Sequence, residues 1–113
     1  MNLDFVTLSG NMLKEVKCLG ECANLTEVNI NHNQITNISP LFNLTHLTRL
    51  FASDNYIETI FGISTCTKLK ELTLATNSIE NLTELLEDLV ELPNLQMLEL
   101  NDNPVKFHSS NSY

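Results

Sequence analysis

Several residue types are scarce in this chain. Among its 113 residues there is no tryptophan, aromatics make up only 6%, and glycine, proline and cysteine occur three times each. Three glycines cannot supply a glycine-rich phosphate cradle. So few aromatics, set against 42% hydrophobic residues, imply an aliphatic interior. The three cysteines, Cys18, Cys22 and Cys66, are an odd count, which argues against a disulfide framework and for a reducing, cytoplasmic setting. Basic residues are few as well: six against fourteen acids, a net charge of −8. Nucleic-acid backbones and anionic lipid surfaces would be repelled, so neither is an expected partner. The imbalance is local, because eight acids but only Lys106 follow from Glu71 onward. No apolar run approaches the ~20 residues that span a bilayer. The N-terminus also lacks a charged stretch followed by an apolar one, so a soluble, unprocessed chain without membrane insertion is expected.

What the chain does have is repetition. A leucine recurs at Leu3, Leu25, Leu47, Leu69 and Leu95, at spacings of 22, 22, 22 and 26. Three residues on come Val6, Val28, Leu50, Leu72 and Leu98, followed two later by Leu8, Ile30, Ala52, Leu74 and Leu100. An asparagine then falls at Asn11, Asn33, Asn55, Asn77 and Asn103, and an aliphatic closes each motif at Leu13, Ile35, Ile57, Ile79 and Val105. Ala52 is the single lapse.

The columns have a physical reading. A short strand in each unit sends alternate side chains to opposite faces, and inward residues stack on those of the next unit, so strands pair in parallel at ~4.8 Å. The remaining residues of each unit return on the far side, where apolar positions every third residue suit extended or 3₁₀ turns. One coil alone could not bury its face; stacked coils share one core. Where the chain leaves the strand, backbone groups lose their ladder partners. An asparagine amide, with two donors and an acceptor, can tie such a bend to the next coil. A structural ladder of Asn11, Asn33, Asn55, Asn77 and Asn103 is therefore expected.

The pattern L-x-x-L-x-L-x-x-N-x-L over essentially the whole length resembles the leucine-rich-repeat family. The 22-residue period, continued by Val16, Ile38, Ile60 and Leu82, is similar to two subfamilies. One contains the regulatory subunit of protein phosphatase one and the axonemal dynein light chain, and is the nearer match; the other is the bacterial internalins. The resemblance implies an α/β fold: a right-handed solenoid with a short parallel sheet on its concave face, and 3₁₀ turns with one α-helix on the convex face. It also implies a single domain over residues 1–113 without its own chemistry. Its partner would be another protein, such as a phosphatase, motor or scaffold subunit.

The longer fourth unit reads "NLTELLEDLVELPNL". Leu82, Leu85, Leu86, Leu89 and Leu92 recur at helical steps, Asn81 with Glu84 forms a capping box, and Pro93 ends the run. Glu84, Glu87, Asp88 and Glu91 would face solvent. The last unit, "LNDNPV", resembles the terminal repeat of the phosphatase-subunit type. Only "KFHSSNSY" follows, and nothing precedes Leu3 to cover the first coil, so a piece of a longer solenoid is expected.

Chemistry is not expected of this chain. His32, His46 and His108 lie in different units, and Cys18-x-x-x-Cys22 has no matching second pair for zinc. Cys22 and Cys66 share a column with Leu44 and Leu92 and read as small core residues. Four Asn-x-Ser/Thr triplets begin at Asn24, Asn37, Asn43 and Asn81 and would stay unmodified inside a cell. No cofactor or metal is implied. What remains is the outward face of the strands: Phe5, Glu27, Asn29, Asn31, Arg49, Phe51, Ser53, Glu71, Thr73, Met97 and Glu99. Phe51 beside Arg49 has the composition of an interface anchor. A protein-interaction module is the expected function. The alternatives are an internalin-like adhesin and a structural segment of a larger repeat protein.

Overall fold

A computed structural model of the chain describes residues 4–105. Leu3, which opens the first repeat, and Lys106 and His108 lie outside that range. Within it, five three-residue strands appear, one per repeat: β1 (Phe5–Thr7), β2 (Glu27–Asn29), β3 (Arg49–Phe51), β4 (Glu71–Thr73) and β5 (Met97–Glu99). They form one parallel sheet in sequence order. Register follows the repeat, with Val6 opposite Val28, Val28 opposite Leu50, Leu50 opposite Leu72 and Leu72 opposite Leu98. The leucine-rich-repeat architecture expected from the columns is the one formed.

Side chains at equivalent positions stack in register, so the core is a pile of aliphatic layers. Leu25, Val28, Ile30, Leu47, Leu50, Leu69, Leu72 and Leu74 are all fully buried. Among the described residues, the first and last coils have a neighbour on one side only. Val6, Leu13 and Leu19 at one end, and Leu95, Leu98 and Leu100 at the other, are accordingly half-buried. The returns of the three 22-residue units close with 3₁₀ turns at Lys17–Glu21, Ser39–Asn43 and Ile63–Thr65, matching their three-residue apolar spacing. Gly20 sits where the first two turns touch. A Cβ there would lie 2.5 Å from the Pro40 carbonyl oxygen, so no other residue fits without moving backbone.

Four extra residues let the fourth return form a helix, α1 (Leu82–Leu89). Asn81 caps it, its Oδ1 accepting the Glu84 N–H at 3.0 Å. The Glu84 carboxylate does not complete the expected box; it accepts from the Thr59 hydroxyl of the preceding coil at 2.6 Å. Leu85 is buried, whereas Leu86 is 46% exposed, a correction to the expected apolar face. An eight-residue helix offers one narrow stripe to the core, and Leu86 lies a step of ~100° round from Leu85. Glu84 and Asp88 are also half-buried rather than fully solvated. Burial, and then the charges of Glu84 and Glu87, push the Asp88 carboxyl up from its ordinary value.

The asparagines turn inward, but they reach to the preceding coil. Asn55 Nδ2 donates to Ile30 O of the coil before at 3.0 Å and to Ala52 O of its own bend at 3.2 Å. Its Oδ1 accepts the Ile35 N–H at 3.0 Å. Asn33, Asn77 and Asn103 repeat this set on Leu8 and Leu13, Ala52 and Ile57, and Leu74 and Ile79. Asn11 departs from the expected ladder. It has no preceding coil among the described residues and lies exposed; its side chain donates to Ser9 O at 3.3 Å, and its backbone N–H donates to Asn33 Oδ1 at 3.0 Å. The other end closes differently. In the middle coils, Gln34, Tyr56 and Ser78 donate to the carbonyl of the coil before. Pro104 occupies that place in the last coil and has no N–H, so Val105 N bonds Ile79 O instead, at 2.7 Å. The N–H that a further asparagine would engage is thereby turned back.

The residue before each ladder asparagine is left-handed: Gly10 (φ 75°), His32 (60°), Asp54 (59°), Thr76 (56°) and Asp102 (61°). This kink rotates the next side chain from the sheet surface into the stack. Thr76 bears the largest steric cost, since β-branching is poorly tolerated there.

Three outcomes follow. Asn55→Ala orphans buried groups at about 1–3 kcal/mol each and should lower Tm by more than ~10 °C, whereas Asn11→Ala should shift it little; thermal melts followed by circular dichroism compare the two. Thr76→Asn should stabilise by about 0.5–1 kcal/mol in urea titration, because asparagine accepts the left-handed conformation more readily. Burial raises the Cys66 thiol to about 11 from 9.0. The unfolded chain therefore releases that proton first, and stability that is whole below pH 9 should fall between pH 9 and 11. Cys66→Ala should flatten that part of the pH profile.

Candidate protein-docking face

The outward side chains of the strands make a face of four columns. The first holds Phe5, Glu27, Arg49, Glu71 and Met97, brought into line by the register. Its centre is an ion-pair ladder: Arg49 Nε lies 3.0 Å from Glu71 Oε2, and its Nη1 lies 3.7 Å from Glu27 Oε1. All three side chains are partly solvated, so the ladder contributes well under ~1 kcal/mol per pair. Its larger effect is to hold Arg49 flat on the sheet between two carboxylates. The 22-residue spacing of Glu27, Arg49 and Glu71 carries that pairing, and it leaves Arg49, expected beside Phe51 as part of an interface anchor, already engaged.

The second column is Thr7, Asn29, Phe51, Thr73 and Glu99. Phe51 is half-buried at the sheet centre, while Phe5, at the end, is 65% exposed. Thr73, expected as an exposed binding residue, is only 6% exposed. Its in-register neighbours Phe51 and Glu99 have longer side chains, which leaves the short threonine at the floor between them. Among the described residues, Thr73 Oγ1 has no hydrogen-bond partner.

In the third column, Asn31 and Ser53 are half-buried. Asn31 Oδ1 accepts the Ser53 N–H at 2.7 Å, and Asn29 Oδ1 accepts the Asn31 N–H at 3.0 Å. The carbonyl side of both amides is thus spent on the fold, and their NH₂ groups are what they can offer a partner. The fourth column is the left-handed one, where His32 Nδ1 and Asp54 Oδ2 are 2.7 Å apart. Their spacing of 22 residues carries that pairing in the sequence too.

Two features lie elsewhere. A cleft of about 440 Å³ is lined by Lys14, Lys17, Thr36, Asn37 and Pro40 on the return side of the first coils. Cys18 is exposed, Cys22 half-buried and Cys66 buried, all as free thiols. Among the described residues no group of three or more His, Cys, Asp or Glu is placed to hold a metal ion, and no helix is long and apolar enough to cross a membrane.

Comparison with known proteins fits this geometry. Among solved structures, the chain is similar to internalin C2 from Listeria monocytogenes, with 32% identity and a TM-score of 0.80 over 91% of this chain and 45% of that one. A leucine-rich-repeat protein from Leptospira interrogans gives 31% identity and a TM-score of 0.82, over 89% of this chain and 26% of that one. A chain of the Drosophila melanogaster SNF/U2A' complex shares the fold at 20% identity and a TM-score of 0.68, over 89% and 59%. The chain spans less than half the length of the two bacterial proteins. No curated protein sequence matches it significantly. The family model for leucine-rich repeats (2 copies) matches residues 2–43 and 45–87, about three quarters of the sequence. With the stacked strands and the asparagine ladder, that match makes the chain a member of the leucine-rich-repeat family.

Proposed function

We propose that the chain is a non-catalytic docking module that binds a partner protein on its concave sheet face. The observation that carries this reading is Phe51, a half-buried aromatic at the centre of a strand-lined face, in a column otherwise composed of Thr7, Asn29, Thr73 and Glu99. Interface anchors are typically aromatic, central and surrounded by groups that exclude water. A face pinned by backbone pairing and the Arg49 ladder also loses little entropy on binding. Leucine-rich-repeat domains typically serve as protein-interaction modules. The similar fold within the SNF/U2A' complex supports the same use. Three free thiols, one of them exposed, favour a reducing compartment. The resemblance to the phosphatase-subunit and dynein-light-chain subfamily makes a phosphatase, motor or scaffold subunit the preferred partner class.

A second reading, an internalin-like adhesin, rests on the 32% identity with internalin C2 over 91% of this chain. The identity of the bound protein separates the two, since an intracellular subunit supports the first and a cell-surface receptor the second.

In affinity purification from native lysate with wild-type bait, Phe51→Ala should reduce the retained partner about tenfold or more. Arg49→Gln should weaken it less, because Arg49 is already engaged by Glu27 and Glu71. Phe61→Ala, at a 73% exposed position on the return side, should change nothing. Retention unaltered by Phe51→Ala, in a protein of unchanged Tm, would refute concave-face docking.

A further inference from the structure

Building on the docking reading above, we infer that the centre of the concave face is a subsite for an arginine side chain presented by the partner protein. Three observations converge there. The first is the orphan hydroxyl. Thr73 lies on the outward side of β4, since Leu72 and Leu74 on either side of it point into the core. It is 6% exposed, and Oγ1 finds no partner among the described residues. Buried hydroxyls nearly always have a partner, so one left unpaired on a binding face is a place for an incoming donor.

The second observation is what flanks it. Phe51 and Glu99 are its direct neighbours in register, one aromatic ring and one exposed carboxylate, two strand spacings or ~10 Å apart across Thr73. A guanidinium is the group that suits all three walls. Its plane stacks on an aromatic ring, and its forked N–H groups reach a carboxylate and a hydroxyl oxygen together. A lysine ammonium meets the charge but cannot stack as a plane. Glu99 is exposed, so its side chain changes rotamer in picoseconds to nanoseconds and can turn toward an incoming cation.

The third is charge. The four concave columns carry Glu27, Glu71, Glu99, Asp54 and Asp102. Arg49 is their one lysine or arginine, and it is held by Glu27 and Glu71. Glu99 has no cation opposite it among the described residues. Beside the central Phe51, the face therefore attracts a cation on the side where Thr73 and Glu99 meet, and repels an acidic partner.

The test uses short blocked peptides of glycine and serine that carry a single arginine, lysine, citrulline or glutamate, titrated into the ¹⁵N-labelled chain and followed by NMR. The arginine peptide should bind weakly, in the millimolar range, with shifts centred on the amides of Phe51, Thr73 and Glu99. Lysine should bind at least about threefold more weakly, and citrulline and glutamate should give no saturable shift. Glu99→Gln should weaken arginine binding about fivefold or more. Thr73→Val should weaken it about threefold while raising Tm, since an orphan hydroxyl is removed without loss of volume. Equal binding of lysine and arginine, shifts centred on the acids of α1, or arginine binding unaffected by Thr73→Val would each overturn the inference. Should that happen while Phe51→Ala still abolishes partner capture, the docking function stands and only its arginine subsite falls.

Discussion

The whole structure depends on one exchange of hydrogen bonds, repeated at every bend. When a coil leaves its strand, carbonyls such as Ile30 O and Ala52 O, and an N–H such as that of Ile35, point into a space that water cannot reach. The amide of Asn55 meets all three at 3.0–3.2 Å. Without that exchange the aliphatic layers could still attract one another, yet each junction would carry several unpaired backbone groups, and a domain with a margin of ~5–15 kcal/mol could not sustain many of those. Hydrophobic burial holds the coils together; the asparagines determine that they stack at one angle and one spacing.

Bringing the amide inward has a steric cost, and it falls on the preceding residue. Four non-glycine residues, His32, Asp54, Thr76 and Asp102, occupy left-handed backbone so that the following asparagine can point into the stack. Two are aspartates and one a histidine, types that enter this region more readily than most. The same kink lifts those side chains to the rim of the concave face, where His32 and Asp54 meet at 2.7 Å. One backbone constraint thus builds the core and lays out the edge of the docking surface.

The repeat was legible because it is periodic. Columns of leucine and asparagine at spacings of 22 reveal strands, register, parallel pairing and core before any coordinates are seen. Half of the cap of α1 was legible for a similar reason: Asn81 stands where it accepts the Glu84 N–H, whereas the Glu84 carboxylate turns to Thr59 of the preceding coil. What escaped was whatever depends on neighbours across coils. The burial of Thr73 between Phe51 and Glu99 and the binding of Arg49 by two glutamates depend on side chains in adjacent strands, and the exposure of Leu86 depends on how narrow a stripe α1 offers the core. A linear pattern does not display them. The ladder's direction was likewise hidden, because an amide at a bend could reach either way. Asn11 looked equivalent to its four counterparts, yet equivalence in sequence does not supply a neighbouring coil.

The backward reach of each asparagine makes the array directional. Every unit brings the fastener for the junction behind it, and presents ahead only a plain backbone for its successor to grip. A duplicated 22-residue segment inserted anywhere before Pro104 would arrive with its own fastening, which makes copy number easy for evolution to change. Where proline stands in place of serine, at Pro104 against Ser78, a single ring closing on one nitrogen moves that backbone bond one residue along, to the N–H of Val105.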